Sequence, residues 1–448
     1  MKSADREFYK KVLVLVLPMA LQNLINVGVT AADVVMLGKV GEDVLSGSSL
    51  AGQVQWVMSL VFFGLASGAS VLIAQYWGKK DIETIEKIIG ITLRCSLITG
   101  VIFTAASWVF PVQIIRLFTN EPAVISEAVK YLRIVSCSYI IISFTMMYLN
   151  VIKSVEKVVV STVVYSISLV FNIVLNYTLI FGKFGMPAMG IEGAAIATLL
   201  ARILELGITV VYAWKMNTAV KFRIKHLFVK DRLLWNDFVK YATPVILNEL
   251  LWGAGYSANT AIMGHMGSSA VAANSVAHTI RQLSMVVSFG VGNATAIMMG
   301  KAIGEGREDI AKDYGRRFVN LSLMTGIAGT VLILVIRPFV VHFMGFEAET
   351  SGLIYFFLLV MAFYVIGQSY NSTCIVGVFR SGGDTKFGLY VDIGCLWGGS
   401  ILLGALAAFV FHAPIHVVYL LIMSDEFIKV PLSYWRYRKK KWLNNVTR

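Results

Sequence analysis

The sequence predicts an all-α, polytopic membrane protein with twelve transmembrane helices in two pseudo-symmetric six-helix bundles. Three observations predict it. Only 15% of the 448 residues are charged, against 57% hydrophobic, where a soluble domain carries roughly 25% charged residues. Mean hydropathy is +0.72, so polar surface is too scarce to cover a globule of this size in water. Apolar runs of roughly 20 residues or more recur along the chain, interrupted by Gly. Such runs fit spanning helices and not the ~10-residue alternating strands of a barrel.

The twelve expected spans are about 11–37, 50–76, 88–111, 126–150, 158–182, 190–214, 238–264, 274–300, 317–340, 351–378, 386–410 and 414–435. Short links carrying Gly, Pro, Lys or acidic residues separate them. The longest polar link is 215–240, rich in Lys, Arg and aromatics. It divides the chain into an N-terminal bundle (1–214), a cytoplasmic linker (215–240) and a C-terminal bundle with a basic tail (241–448).

The net charge of +13 sits in clusters between apolar runs. With the N-terminus inside, the inner segments collect Lys2, Arg6, Lys10, Lys79, Lys80, Lys153, Lys157, the basic linker, Lys301, Arg307, Arg316, Arg317 and the tail Arg436–Lys441. The outer links hold Lys39 and Lys183. Short loops with this bias place both termini in the cytoplasm. The tail is expected to anchor topology against anionic lipid. No basic stripe with interleaved aromatics calls for nucleic acid. Cys95, Cys137, Cys374 and Cys395 lie in apolar runs without metal-ligand spacing and read as buried thiols. The first apolar run is too long for a cleavable signal.

A shift of 226 residues superposes the two halves without a gap over about 60 residues. Pro18 meets Pro244, Gly38 meets Gly264, Gly41 meets Gly267, Gly64 meets Gly290 and Gly78 meets Gly304. The shift spans six helices, so the copies keep one orientation. Parallel repeats of this kind are a transporter design, and secondary transport is the general expectation.

Ionisable groups inside spans are costly and mark function. Asp33 lies near the outer end of the first span, about four turns after Pro18. Pro18 removes a helix hydrogen bond and should bend or loosen that helix. Asn172 and Asn176 are one turn apart and share a face of the fifth span, where two amides can supply carbonyl ligands to a hard cation or bond a carboxylate. Thr198 opens a small-residue face in the sixth span, followed by Arg202 and Glu205 at i, i+3. In the second half Glu249 reads as the isolated intramembrane carboxylate. Arg281 and Gln282 add polarity to the eighth span, and Gln368, Ser369 and Asn371 to the tenth; Asp392 lies in the eleventh. No Gly-Lys-Ser/Thr phosphate loop and no HExxH spacing occurs, which argues against an ATP-driven pump and against an enzyme.

Pro18 followed by Asp33 and Met36-Leu37-Gly38, the same register from Pro244 to Gly264, and the run Phe379–Lys386 together resemble the multidrug and toxic compound extrusion (MATE) family. The resemblance covers nearly the whole chain. It implies two six-helix bundles facing a central cleft, and cation-coupled export of organic, often cationic and aromatic, compounds by alternating access. It places an ion or proton site on Asp33, Asn172, Asn176 and Thr198. The second fifth-span position can be acidic in the family and is an amide here. The C-terminal acid pair of some members falls on Trp252 and Ser369, so that pair is not supported and Glu249, one turn before Trp252, is the substitute expected to attract substrate. Asp384 is expected to fix a cytoplasmic turn.

The expected activity is therefore efflux in antiport with H+ or Na+, with no cofactor and no metal other than Na+ at the Asp33 site. Candidate substrate-cavity residues are Glu249, Trp252, Arg281, Gln282, Ser369 and Asn371. The expected partners are small organic substrates and the lipid bilayer of the plasma (inner) membrane, with the chain a monomer. The alternative is a lipid-linked precursor flippase of similar architecture, which needs a basic cleft for phosphates; Arg202 and Arg281 are the strongest residues for one.

Overall fold

A computed structural model describes residues 3–221, 223–344 and 347–448; Lys2, used above for topology, lies outside them. Among the described residues the regular structure is helical throughout. The first half runs α1 (Ser3–Gly38), α2 (Glu42–Lys79), α3 (Ile82–Val109), the short α4 (Pro111–Arg116), α5 (Pro122–Val135), α6 (Ser138–Ser154), α7 (Val158–Phe181) and α8 (Gly190–Val211). The second half runs α9 (Arg232–His265), α10 (Ser268–Gly304), α11 (Glu308–Met344), α12 (Ala348–Ser372), α13 (Thr385–Cys395), α14 (Leu402–Ala405), α15 (Ile415–Ile422) and α16 (Asp425–Arg438). Short π-helical turns follow α8 and α12 and flank α14.

Among the described residues nine helices are long and apolar enough to cross a membrane, and α5 with α6, bent by 54°, makes a tenth. Two expected spans fall outside that measure for visible reasons. The middle of α9 carries Asn248, Glu249, Ser257 and Asn259. The last span is split: α15 has only eight residues, and α16 opens on Asp425 and Glu426. The polar stretch 215–240 is also more structured than its composition suggests. A 3-10 turn occupies Ile224–Phe228, and α9 already begins at Arg232. The amide of Lys221 donates to Glu86 Oε1 at 3.0 Å, and His226 is buried against α3.

Two compact units are distinguishable. One holds the chain up to Ala20, Ser70–Lys80 and Lys240–Arg448; the other holds Leu21–Ala69 and Asp81–Val239. α1 thus passes from one unit to the other two residues after Pro18, and α2 passes back after Ala69. Pro18 and Pro244 both lie inside their helices, α1 and α9.

In the first of these units the repeat-related Gly78 and Gly304 come together where α2 meets α10. A Cβ on Gly78 would run into the carbonyl of Lys301, and one on Gly304 into the carbonyl of Gln75. Only Gly lets these backbones approach so closely. Gln75 itself is fully buried. Its Nε2 donates to the carbonyls of Ser381 at 2.7 Å and Asn444 at 3.1 Å, while Oε1 accepts from the amide of Val446 at 2.7 Å. The basic tail leads into a packed segment: Trp442 is buried and the residues after it are bonded to α2. Asp384, at the start of α13, accepts both Arg436 bonds, Nε at 2.7 Å and Nη2 at 2.9 Å.

Candidate functional site

The unit containing most of the first half holds an open cavity of about 410 Å³. α1 contributes Asp33, α7 contributes Asn172, and α8 contributes Thr198, Arg202 and Glu205. Asn176 stands directly behind. Its Nδ2 donates to Asp33 Oδ1 at 2.6 Å and to Asn172 Oδ1 at 3.2 Å. Helical spacing explains the chain of bonds: Asn172 and Asn176 stack on one face, and that face meets α1 at Asp33. The short bond is charge-assisted, an amide N–H on a carboxylate. Asn176 Oδ1 is buried and has no partner.

Asp33 is half-buried and is bound by an amide rather than by a cation. The cations of this cavity are otherwise engaged. Arg202 Nη1 lies 2.6 Å from Glu205 Oε2, and Ser168 Oγ donates to the carbonyl of Ala201 at 3.0 Å beside that carboxylate. Glu205 is 1% exposed; the i, i+3 spacing read from sequence gives this pair. Gln22, Asn26, Gln55, Tyr131 and Tyr165 also line the cavity. They were not foreseen, because a lone amide or phenol in apolar sequence carries no signal until helices α1, α2, α5 and α7 converge.

The other unit has its own small cleft, lined by Trp252, Tyr256, His278, Arg281, Gln368 and Asp425, among others. Beside it lies a buried ion cluster. Lys429 Nζ is 2.6 Å from Asp392 Oδ1, 2.8 Å from Asp425 Oδ2 and 3.2 Å from Glu426 Oε1. Asn371 Nδ2 donates to Glu426 Oε2 at 2.8 Å, and Tyr364 OH to Asp425 Oδ1 at 3.4 Å. Of these the sequence reading singled out Asp392 and Asn371 only. Asp425, Glu426 and Lys429 lie within the span expected at 414–435 and are not among the residues that the sequence singles out.

Several second-half candidates occupy other roles. Glu249 is not isolated: Arg380 Nη2, from the run Phe379–Lys386, lies 2.9 Å from its Oε1. A carboxylate already paired with a buried guanidinium has little charge left for a substrate. Ser369 is fully buried in a hydroxyl network, its Oγ donating to the carbonyl of Ser322 at 2.6 Å and lying 3.0 Å from Ser288 Oγ. It packs α12 against α10 and α11. Asn371 serves Glu426, and Gln282 is exposed on a different face of α10 from Arg281. None of these four is among the residues lining the cleft, whereas Trp252 and Arg281 are.

Long apolar helices that carry buried acids, amides and paired charges around polar cavities define a polytopic membrane transporter. The profile of the MatE family matches residues 18–178 and 244–406, one match in each half. The chain belongs to the MatE family, whose members are transporters and not enzymes. The chain is 22% identical to "Uncharacterized transporter YisQ" of Bacillus subtilis over 99% of this chain and 96% of that one. It is 24% identical to "Probable multidrug resistance protein NorM" of Thermotoga maritima, over 97% and 93%. A solved MOP superfamily transporter from Pyrococcus furiosus superposes with TM-score 0.88 at 19% identity, covering 96% of this chain and 95% of that one. An outward-facing multidrug resistance MATE transporter gives TM-score 0.87 at 20% identity, over 96% and 95%. The fold is thus the MATE fold of twelve helices in two bundles.

Proposed function

We propose that this chain is a secondary active multidrug efflux transporter. It exports organic, often cationic and aromatic, compounds in antiport with H+ or Na+ by alternating access. It works as a monomer in the plasma membrane, with both termini cytoplasmic. The observation that carries this reading is the bonded series Asp33–Asn176–Asn172 at the wall of the larger cavity. A half-buried carboxylate without a cation partner is costly, so Asp33 gains by taking up a proton or a cation from the cavity. The unpartnered Asn176 Oδ1, with Asn172 Oδ1 and Thr198, offers the oxygen set that a hard cation requires. The same amide oxygen can accept from a protonated Asp33.

Neutralising Asp33 weakens its hold on Asn176. That change alters the α1–α7 contact on one side of Pro18, where α1 lacks a hydrogen bond and bends most easily. Loading the ion is thereby coupled to the shape of α1. The multidrug resistance relatives agree with the substrate class. A flippase is disfavoured by the same cavity, because the Arg202 charge is matched by Glu205 and leaves that cavity without a free cation for phosphates.

The test is ethidium efflux from proteoliposomes under an imposed proton or sodium gradient, with wild type and Asp33→Asn side by side. Wild type should respond to one gradient, and Asp33→Asn should lose at least about tenfold of that response, the loss typical of removing one acid–base group. Asp33→Asn exporting at the wild-type rate sinks the proposal.

A further inference from the structure

We propose that the smaller cleft, in the unit containing α9–α16, binds an aromatic carboxylate with Arg281 as its anion anchor. Arg281 is 5% exposed and lines this cleft. Its hydrogen bonds go to neutral acceptors: Nη1 donates to Gln368 Oε1 at 2.8 Å, and Nη2 to His278 Nε2 at 2.7 Å. A guanidinium has donors only, so His278 accepts with an unprotonated Nε2. Among the described residues no carboxylate lies within ion-pair distance of Arg281.

This is unusual here. The other buried cations, Arg380 and Lys429, each hold a carboxylate at 3.2 Å or less. Buried charge is tolerated when it is paired. Arg281 is positioned and oriented by two neutral groups, and its electrostatic partner is missing from the chain. The partner it fits is a carboxylate entering from the cleft, which a guanidinium binds bidentately.

The walls specify the rest of the ligand. Trp252 and Tyr256 are stacked with ring centroids 6.4 Å apart, and the Tyr256 ring is 4.6 Å from His278. Met263, Met361 and Leu396 complete the apolar lining. Such a wall takes a flat ring. Asp425 also lines the cleft, but its carboxylate is held by Lys429 at 2.8 Å and by the Tyr364 hydroxyl. That ammonium is shared with Asp392 and Glu426, whereas among the described residues no acid is paired with Arg281.

The site deepens the export reading, since it names a substrate class beyond organic cations, and rests on that reading for its role in transport. Binding itself is tested separately. Calorimetric titration of the detergent-purified full chain would compare 2-naphthoate with 2-naphthamide, equal in shape and different in charge. Wild type should bind the carboxylate at least about tenfold more tightly, the advantage expected of a charge-assisted pair. Arg281→Gln should bring the two within about twofold. Thr260→Glu, at an exposed position lining the same cleft, removes no Arg281 bond and should weaken the carboxylate about tenfold through like charge while sparing the amide. It keeps the test valid if Arg281→Gln fails to fold. Equal binding of the two probes by wild type, or a preference that survives Arg281→Gln or Thr260→Glu, overturns the proposal. Failure of the ion-coupling proposal would show instead in Asp33→Asn efflux, which these titrations do not read.

Discussion

Replacing Lys429 by Met leaves three carboxylates, two of them buried, without their cation. Lys429 is 1% exposed, and its ammonium touches Asp392, Asp425 and Glu426 at 2.6–3.2 Å. At an effective dielectric constant of about 20, one unit-charge pair near 3 Å is attractive by about 5–6 kcal/mol. Most of that offsets desolvation in the intact protein. Removing one partner loses the attraction while the burial cost of the acids remains, which typically costs about 3–5 kcal/mol. The upper end is expected, because among the described residues no second cation is paired with these three acids. The assay is chemical unfolding of detergent-purified protein followed by tryptophan fluorescence. Lys429→Met should lose about 3–5 kcal/mol, and adding Asp425→Asn should recover at least about 1 kcal/mol of it as a coupling energy. A Lys429→Met protein within about 1 kcal/mol of wild type would refute the claim that the ammonium holds the acids together.

Two further perturbations follow from the helices themselves. Pro18→Ala restores an N–H that can donate to the carbonyl of Val14; it should raise the unfolding free energy by up to about 3 kcal/mol and slow ethidium efflux, whereas unchanged efflux would separate Pro18 from the transport cycle. Gly304→Ala places a Cβ against the Gln75 carbonyl and should destabilise by about 1–3 kcal/mol through overpacking, read as a lowered thermal midpoint; a neutral effect would mean that α2 and α10 can separate there at little cost.

Much of this architecture is legible in the sequence because the bilayer imposes one rule, long apolar helices with basic inner loops. The repeat register is legible for a related reason: Gly78 and Gly304 are required by a backbone crossing, and chance apolar text does not conserve glycine. Asn172 and Asn176 were found by their spacing, and Asp33 by its cost. The rest needed three dimensions. Glu249 looked free because its partner Arg380 lies 131 positions later. Lys429 and its acids drew no attention, because Asp392 comes from a different helix, α13. The pairing of charges, unlike the count of helices, depends on which faces meet, and periodicity alone does not give that.

Gln75 carries a consequence for biosynthesis. Its partners Ser381 and Val446 are made 306 and 371 residues after it. At a synthesis rate of about 5–20 residues per second, the amide waits about 15–75 seconds for them. During that interval the C-terminal end of α2 has a buried-type amide unsatisfied, and the Gly78 backbone has no α10 to lie against. The unit to which this segment belongs therefore closes late. It also provides a built-in check on completeness, since a chain truncated before Asn444 lacks the carbonyl and the amide that hold Gln75 in place.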